Sequence, residues 1–187
     1  KRHIKDYISE NHIIISTITG LKISSIEKAL GNDKKIIRSM PNTAVSVRKS
    51  LTCICSNETG KDYLDLCVSI FNSTGKTIII DESKMQSATV MCASGIAFWM
   101  RIIRAMAQGG VELGFEAKDS LEISFRTAEG AINLLKTNKS HPEEEIDKVT
   151  TPSGCTIKGI IEMENKGLSS AIIHGLISSH EKINKIK

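Results

Sequence analysis

Ile13-Ile14-Ile15-Ser16-Thr17 and Lys35-Ile36-Ile37-Arg38-Ser39-Met40-Pro41-Asn42 flank a segment, Ser24 to Leu30, that runs into Gly31. The outer runs, His12 to Thr17 and Lys35 to Met40, are rich in isoleucine and closed by turn residues, which reads as strands. The middle segment is spaced as a short helix with a glycine stop. The same alternation follows: strand-like Leu51 to Cys55, a helical run from Lys61 to Asn72 stopped near Gly75, and strand-like Thr77 to Asp81. Strand and helix in turn argue for an α/β sheet.

Beyond Glu82 the strand signals vanish. Ser94 to Leu113 is apolar nearly all round, with Ile96, Phe98, Trp99, Ile102, Ile103, Met106 and Val111, and is expected to be buried on most faces. Leu121, Phe125, Ala128, Ile132 and Leu135 give a second helix one apolar stripe. Shorter helices are expected near Glu143 to Val149, over Thr156 to Asn165, and from Ser169 to about Asn184. Two domains follow: an α/β part over residues 1–81 and an all-helical part over 82–187. The helical half carries more apolar surface than it can cover alone, so a homodimer is expected.

At 187 residues, 40% of them apolar and 25% charged, the composition is that of a globular chain able to bury a core. The net charge of +4 comes largely from lysines near the two ends. With one Trp, two Tyr and four Phe there is no stacking platform for nucleic acid, and none is expected as a partner. The five cysteines are odd in number and form no C-x-x-C pair, and the five histidines have no H-E-x-x-H spacing. A reduced, cytoplasmic chain without a metal is the reading. Cys53 and Cys55 lie two apart, on one face of a strand, as small core residues. No apolar run reaches the length a bilayer requires, so no membrane partner is expected.

Thr150-Thr151-Pro152-Ser153-Gly154-Cys155-Thr156 leads directly into the helical run from Ile157. Such a turn leaves first-turn N–H groups free to face a small carboxylate. It is equally an ordinary way to end one helix and cap the next.

The surrounding pattern widens the reading. Ser16-Thr17-Ile18-Thr19-Gly20 comes after the strand residues Ile13 to Ile15. Ile37-Arg38-Ser39-Met40-Pro41-Asn42-Thr43, then Ser94-Gly95, Gly109-Gly110-Val111 and the Thr150 to Thr156 loop come in order. Together they resemble pyrroline-5-carboxylate reductase, which reduces a cyclic imine carboxylate to proline with hydride from NADPH or NADH. The resemblance implies the C-terminal portion of a Rossmann domain followed by a helical dimerisation domain, assembled as a homodimer or a larger ring of dimers.

It also implies roles. Thr17, Ile18, Thr19, Met40, Pro41 and Asn42 would lie along the dinucleotide. Ser94 and Gly95 would open the helix that walls the pyrroline ring, and Glu82 would touch ligand. Gly154, Cys155 and Thr156 would grip the carboxylate through backbone N–H groups, with the Thr156 hydroxyl at the ring nitrogen as the catalytic residue. Each has a plainer reading: Ser94 and Thr156 as helix caps, Met40 to Asn42 as a strand-ending turn, Glu82 as a solvated acid.

Three departures stand out: Ile96 in place of a proline, Ser153 in place of a glycine, and Lys139 where some relatives carry an acid. No G-x-G-x-x-G occurs, and the chain opens in what reads as a helix before a later Rossmann strand. The expectation is a fragment, weakly active or inactive by itself. Two alternatives remain: a non-catalytic, reductase-like dimeric structural or interaction protein, and another imine or 2-hydroxyacid reductase.

Overall fold

The structure, a computed structural model, describes residues 4–185. Strand β1, Ile13–Ser16, passes through helix α1, Ile23–Leu30, to strand β2, Lys35–Met40, which lies parallel to it with Ile14 opposite Ile36 and Ser16 opposite Arg38. Strand β3, Ser50–Ser56, runs antiparallel to β2 and places Cys53 opposite Met40. Helix α2, Leu64–Asn72, then leads to β4, Gly75–Ile79, parallel to β3. The sheet order is β1-β2-β3-β4.

Successive strand residues point to opposite faces, so a sheet covered on both sides needs continuous apolar runs. Ile36 packs with Ile23 and Ile26 of α1, with Met40 and Cys55, and with Met85 further along the chain. Its neighbour Ile37 packs on the other face with Ile54 and with Cys67 of α2. Cys53 and Cys55 are both buried. Asn57 fixes one end of the sheet: its Oδ1 accepts from Ile36 N and Gly60 N at 3.0 Å each, while its Nδ2 donates to Glu27 and to the Lys34 carbonyl. Every hydrogen-bonding site of that buried amide therefore has work.

Helix does not begin at Ser94. A 3-10 turn at Glu82–Lys84 leads into α3, Met85–Ala88, then a π-helical segment, Thr89–Ser94, then α4, Gly95–Glu112. The reason is local: residues 82–94 contain neither Gly nor Pro, and Met85, Thr89 and Val90 are buried on the face toward the sheet. A serine caps a helix only where the chain before it is not already helical.

The run Glu82–Glu112 is 31 residues long with a mean hydropathy of 1.4 in its most apolar window, and only 17% of that window is buried. By length and composition it could cross a bilayer, which corrects the expectation that no run is long enough. It also corrects the expected burial: Trp99, Met100 and Met106 are exposed in the single chain, because one copy covers only part of an all-round apolar helix.

Among the described residues the chain opens in a short 3-10 turn, Lys5–Tyr7, rather than in the expected helix. It forms two compact units, one reaching Ile96 and taking in the residues from Leu176 on, the other Ala97–Gly175. Within the second unit, α4 and α5, Ala117–Asn138, approach closely at Gly110, where a Cβ would collide with the Ser120 hydroxyl. That hydroxyl is buried and donates to the Ala107 carbonyl at 2.6 Å. Helix α6, Pro142–Val149, starts with a capping box: His141 accepts from Glu143 N, and Glu144 accepts from His141 N. Helices α7, Cys155–Asn165, and α8, Leu168–Asn184, complete the chain.

Candidate active site

Because β1 and β2 are parallel, the loops that follow them leave the same carboxyl end of the sheet, which is where ligands sit in open α/β folds. Thr17, Ile18 and Thr19 are exposed there, in a turn closed by Gly20 at φ 80°. Met40 turns inward and packs among the core residues over Ile36, whereas Pro41 and Asn42 are half-buried. Asn42 organises the turn. Its Oδ1 accepts from Ala44 N, its backbone N–H donates to the Ser50 hydroxyl, and its Nδ2 donates to the Cys92 carbonyl at 3.0 Å.

That last bond ties the loop after β2 to the π-helical segment, two residues before Ser94. Isolated π turns are frequent at functional sites, because the widened turn redirects the residues that follow. Here Ser94 is the last residue of that segment and Gly95 the first after it. Cys92 also meets Cys53 of β3, with the sulfurs 3.6 Å apart. The hydrogen bond from Cys53 lowers the Cys92 thiol to about 7 against the cost of partial burial, and the same bond pushes Cys53 well above the ordinary thiol range.

Glu82 is not a solvated turn acid. Its Oε1 accepts from Ile23 N at 2.7 Å and from Arg38 at 2.9 Å. Helix α1 has no capping side chain of its own, since Lys22 holds the N-cap, so the carboxylate from beyond β4 supplies the missing acceptor. Arg38 is 3% exposed, and a buried guanidinium needs a paired carboxylate. Lys22, Arg38, Glu82, Ser83 and Gln86 line a cleft of about 330 Å³ at this point. Arg38 was missed as a site residue by sequence reasoning. The signal was present: a charge in the middle of an apolar strand must have a partner.

In the second unit, Thr150 to Gly154 form the expected turn. Ser153 stands in the left-handed region at φ 59°, and Gly154 is the N-cap of α7 with no capping side chain. The glycine is required by the turn itself. A Cβ there would press on the Thr151 hydroxyl and come within 3.0 Å of the Thr151 carbonyl oxygen, to which Gly154 N already donates at 2.9 Å. Cys155 and Thr156 are exposed in the first turn, so Thr156 is not the cap. Ser153, Gly154, Ile157, Lys158, Ile161 and Glu162 line an open groove of about 540 Å³ beside them. Lys139 is the left-handed C-cap of α5, at φ 52°.

The family model described as pyrroline-5-carboxylate reductase dimerisation matches residues 82–186, more than half of the chain. The chain belongs to the pyrroline-5-carboxylate reductase family. It is 46% identical to pyrroline-5-carboxylate reductase 1 of Dictyostelium discoideum over 96% of its own length and 35% of that protein's. Against reductase 2 of the same organism the identity is 44%, over 97% of this chain and 66% of the relative. Among solved structures, the Plasmodium falciparum pyrroline carboxylate reductase with NADP bound is similar at a TM-score of 0.88 and 28% identity, covering 96% of this chain and 73% of that one. The family architecture is a Rossmann domain followed by a helical dimerisation domain. The four-stranded sheet and the helices after it are the parts of it that this chain carries.

Proposed function

We propose that this chain serves the reduction of 1-pyrroline-5-carboxylate to L-proline by hydride from NADPH or NADH, as a homodimer in the cytoplasm. The observation that carries the reading is the start of α7, where Gly154 caps a helix without any side-chain acceptor and the exposed Cys155 and Thr156 follow, beside an open groove. Free N–H groups and the positive end of the helix dipole are complementary to a carboxylate.

In this reading Gly154, Cys155 and Thr156 hold the carboxylate, and the Thr156 hydroxyl hydrogen-bonds the ring nitrogen as it gains charge and a proton. Thr17, Ile18, Thr19, Met40, Pro41 and Asn42 serve the cofactor, Met40 through its backbone because its side chain is in the core. When bound, the dinucleotide supplies the hydride. Ser94 and Gly95 wall the ring, aimed by the π segment that ends at Ser94. Glu82 acts near the ligand while paired with Arg38. The division into residues 1–81 and 82–187 is supported by the family match, which begins at residue 82. A reduced compartment suits the five free cysteines.

Proline tests the carboxylate grip without needing a cofactor. At about ten times its Kd a ligand that binds only the folded state stabilises it by ~1.4 kcal/mol, which a thermal melt resolves. Thr156→Ala is expected to reduce that protection at the same proline concentration. An unchanged shift would place the substrate elsewhere.

Hydride transfer is a separate question, since these 187 residues contain no G-x-G-x-x-G to cradle the pyrophosphate. Turnover by the 187-residue polypeptide is expected to be weak or absent at ordinary NADPH concentrations. The second reading, a dimeric relative without catalysis, is favoured by Ser153, whose strained backbone stands in the turn that would hold substrate. It predicts no protection by proline at all.

A further inference from the structure

We propose that Cys53 and Cys92 are a site of reversible oxidation, joined as a disulfide by a hydroperoxide such as hydrogen peroxide. Their sulfurs already touch at 3.6 Å, across 39 residues of chain, and disulfide bonding requires them to close to about 2.05 Å. Cys53 is held in β3 and is buried, while Cys92 lies half-buried in the π-helical segment, the more adaptable of the two frames. Among the described cysteines this is the one pair in sulfur contact: Cys55 and Cys67 are buried among apolar core residues, and Cys155 is exposed at the start of α7.

The chemistry has an order. A thiolate is the species that attacks a peroxide, and Cys92 has the lowered thiol, stabilised by a hydrogen bond from Cys53. The Cys92 sulfur attacks one peroxide oxygen, the O–O bond breaks, and the departing hydroxide takes a proton to become water, leaving Cys92 as a sulfenic acid. Formation of the uncharged sulfenic acid removes the negative sulfur that held the Cys53 proton. Cys53 then attacks the Cys92 sulfur, the S–O bond breaks, and the hydroxide leaves as water with the Cys53 proton. Two thiols lose two electrons, and one peroxide becomes two waters.

The new bond would clamp the π segment onto β3. It lies next to the Asn42 bond to the Cys92 carbonyl, in the segment that ends at Ser94 and leads into Gly95. Oxidation would therefore stiffen the frame from which those two residues project, whatever ligand they meet.

The test treats the whole chain, with Cys155→Ser to remove the exposed competing thiol, with one equivalent of hydrogen peroxide. Remaining thiols are alkylated, the protein is digested without reductant, and the peptides are weighed. A Cys53–Cys92 linked peptide as the main product, lost on reduction, is expected, together with slower amide exchange over residues 89–95 in the oxidised form. Unoxidised Cys92, or Cys92 carried to sulfinic acid with Cys53 still alkylatable, would overturn the proposal. Cys53→Ser provides the second check: it should leave the Cys92 sulfenic acid unresolved and trappable by dimedone, and a disulfide from Cys92 to another cysteine at the wild-type rate would count against the pairing.

Discussion

Ser153 and Gly154 are adjacent and have opposite requirements. At φ 59° the Ser153 side chain sits where an L-residue is crowded by its own backbone, a cost of about 1–2 kcal/mol that glycine does not bear. Glycine gives back part of that gain, about 0.5–1 kcal/mol, through its freer unfolded chain. Ser153→Gly is therefore expected to stabilise the second unit by up to about 1.5 kcal/mol in urea unfolding. A loss of stability would show that the serine has a role beyond filling the turn. This requirement was half visible in the sequence, since the turn could be read but its handedness could not. That Arg38 needs a partner could be read, but that Glu82 is the partner could not, because the donors to its carboxylate come from residues 44 and 59 positions away. A carboxylate after a strand looks solvated until the fold brings it to a buried arginine and an uncapped helix.

Strands and helices follow local composition, and most of them were legible within a residue or two. The π-helical segment was not, because its cause is tertiary: Asn42 pulls on the Cys92 carbonyl while Thr89 and Val90 are held in the interior. Helix α6 shows what local chemistry can do when it is complete. Glu145 Oε1 collects Lys148 at 2.7 Å, Ser140 at 2.6 Å and Asn138 at 3.1 Å, binding the end of α5 and the following linker to α6. These donors, Lys148 first, hold its carboxyl down at about 2. A depressed carboxylate stabilises the fold above its unfolded value, about 4.3, and the benefit fades as pH falls toward the folded value. Melting temperatures should thus show Glu145→Gln below wild type by a constant margin above about pH 5, with the margin closing by about pH 2. A margin that persisted at pH 2 would mean that the glutamate acts by shape and not by charge.

At the scale of the molecule, a single chain leaves much of the apolar surface of α4 uncovered. In the second unit, Phe98, Arg101, Ile102, Ala105, Ala171 and Ile172 help to line an apolar groove of about 290 Å³, and Trp99 and Met100 remain 61% and 62% exposed. Either a bilayer or a second copy could take such a helix. Arg101 and Arg104 lie one turn apart near its middle, which hydrocarbon penalises and a protein interface tolerates at its rim. The match to a dimerisation domain favours the second copy. In a two-fold interface any substitution occurs twice, so placing a charge on a buried position is felt by both halves. Burial of a large apolar side chain contributes about 1.5–3 kcal/mol, so its loss on both sides amounts to about 3–6 kcal/mol. Trp99→Glu, which leaves the single chain's own core untouched, should therefore weaken self-association by about 10²–10⁴-fold. Sedimentation velocity across a dilution series, without detergent, would read this as a dimer that dissociates at far higher concentration than wild type. If both proteins dissociate alike, Trp99 is not in the interface; if wild type stays in solution only with detergent, the helix has been assigned to the wrong surroundings.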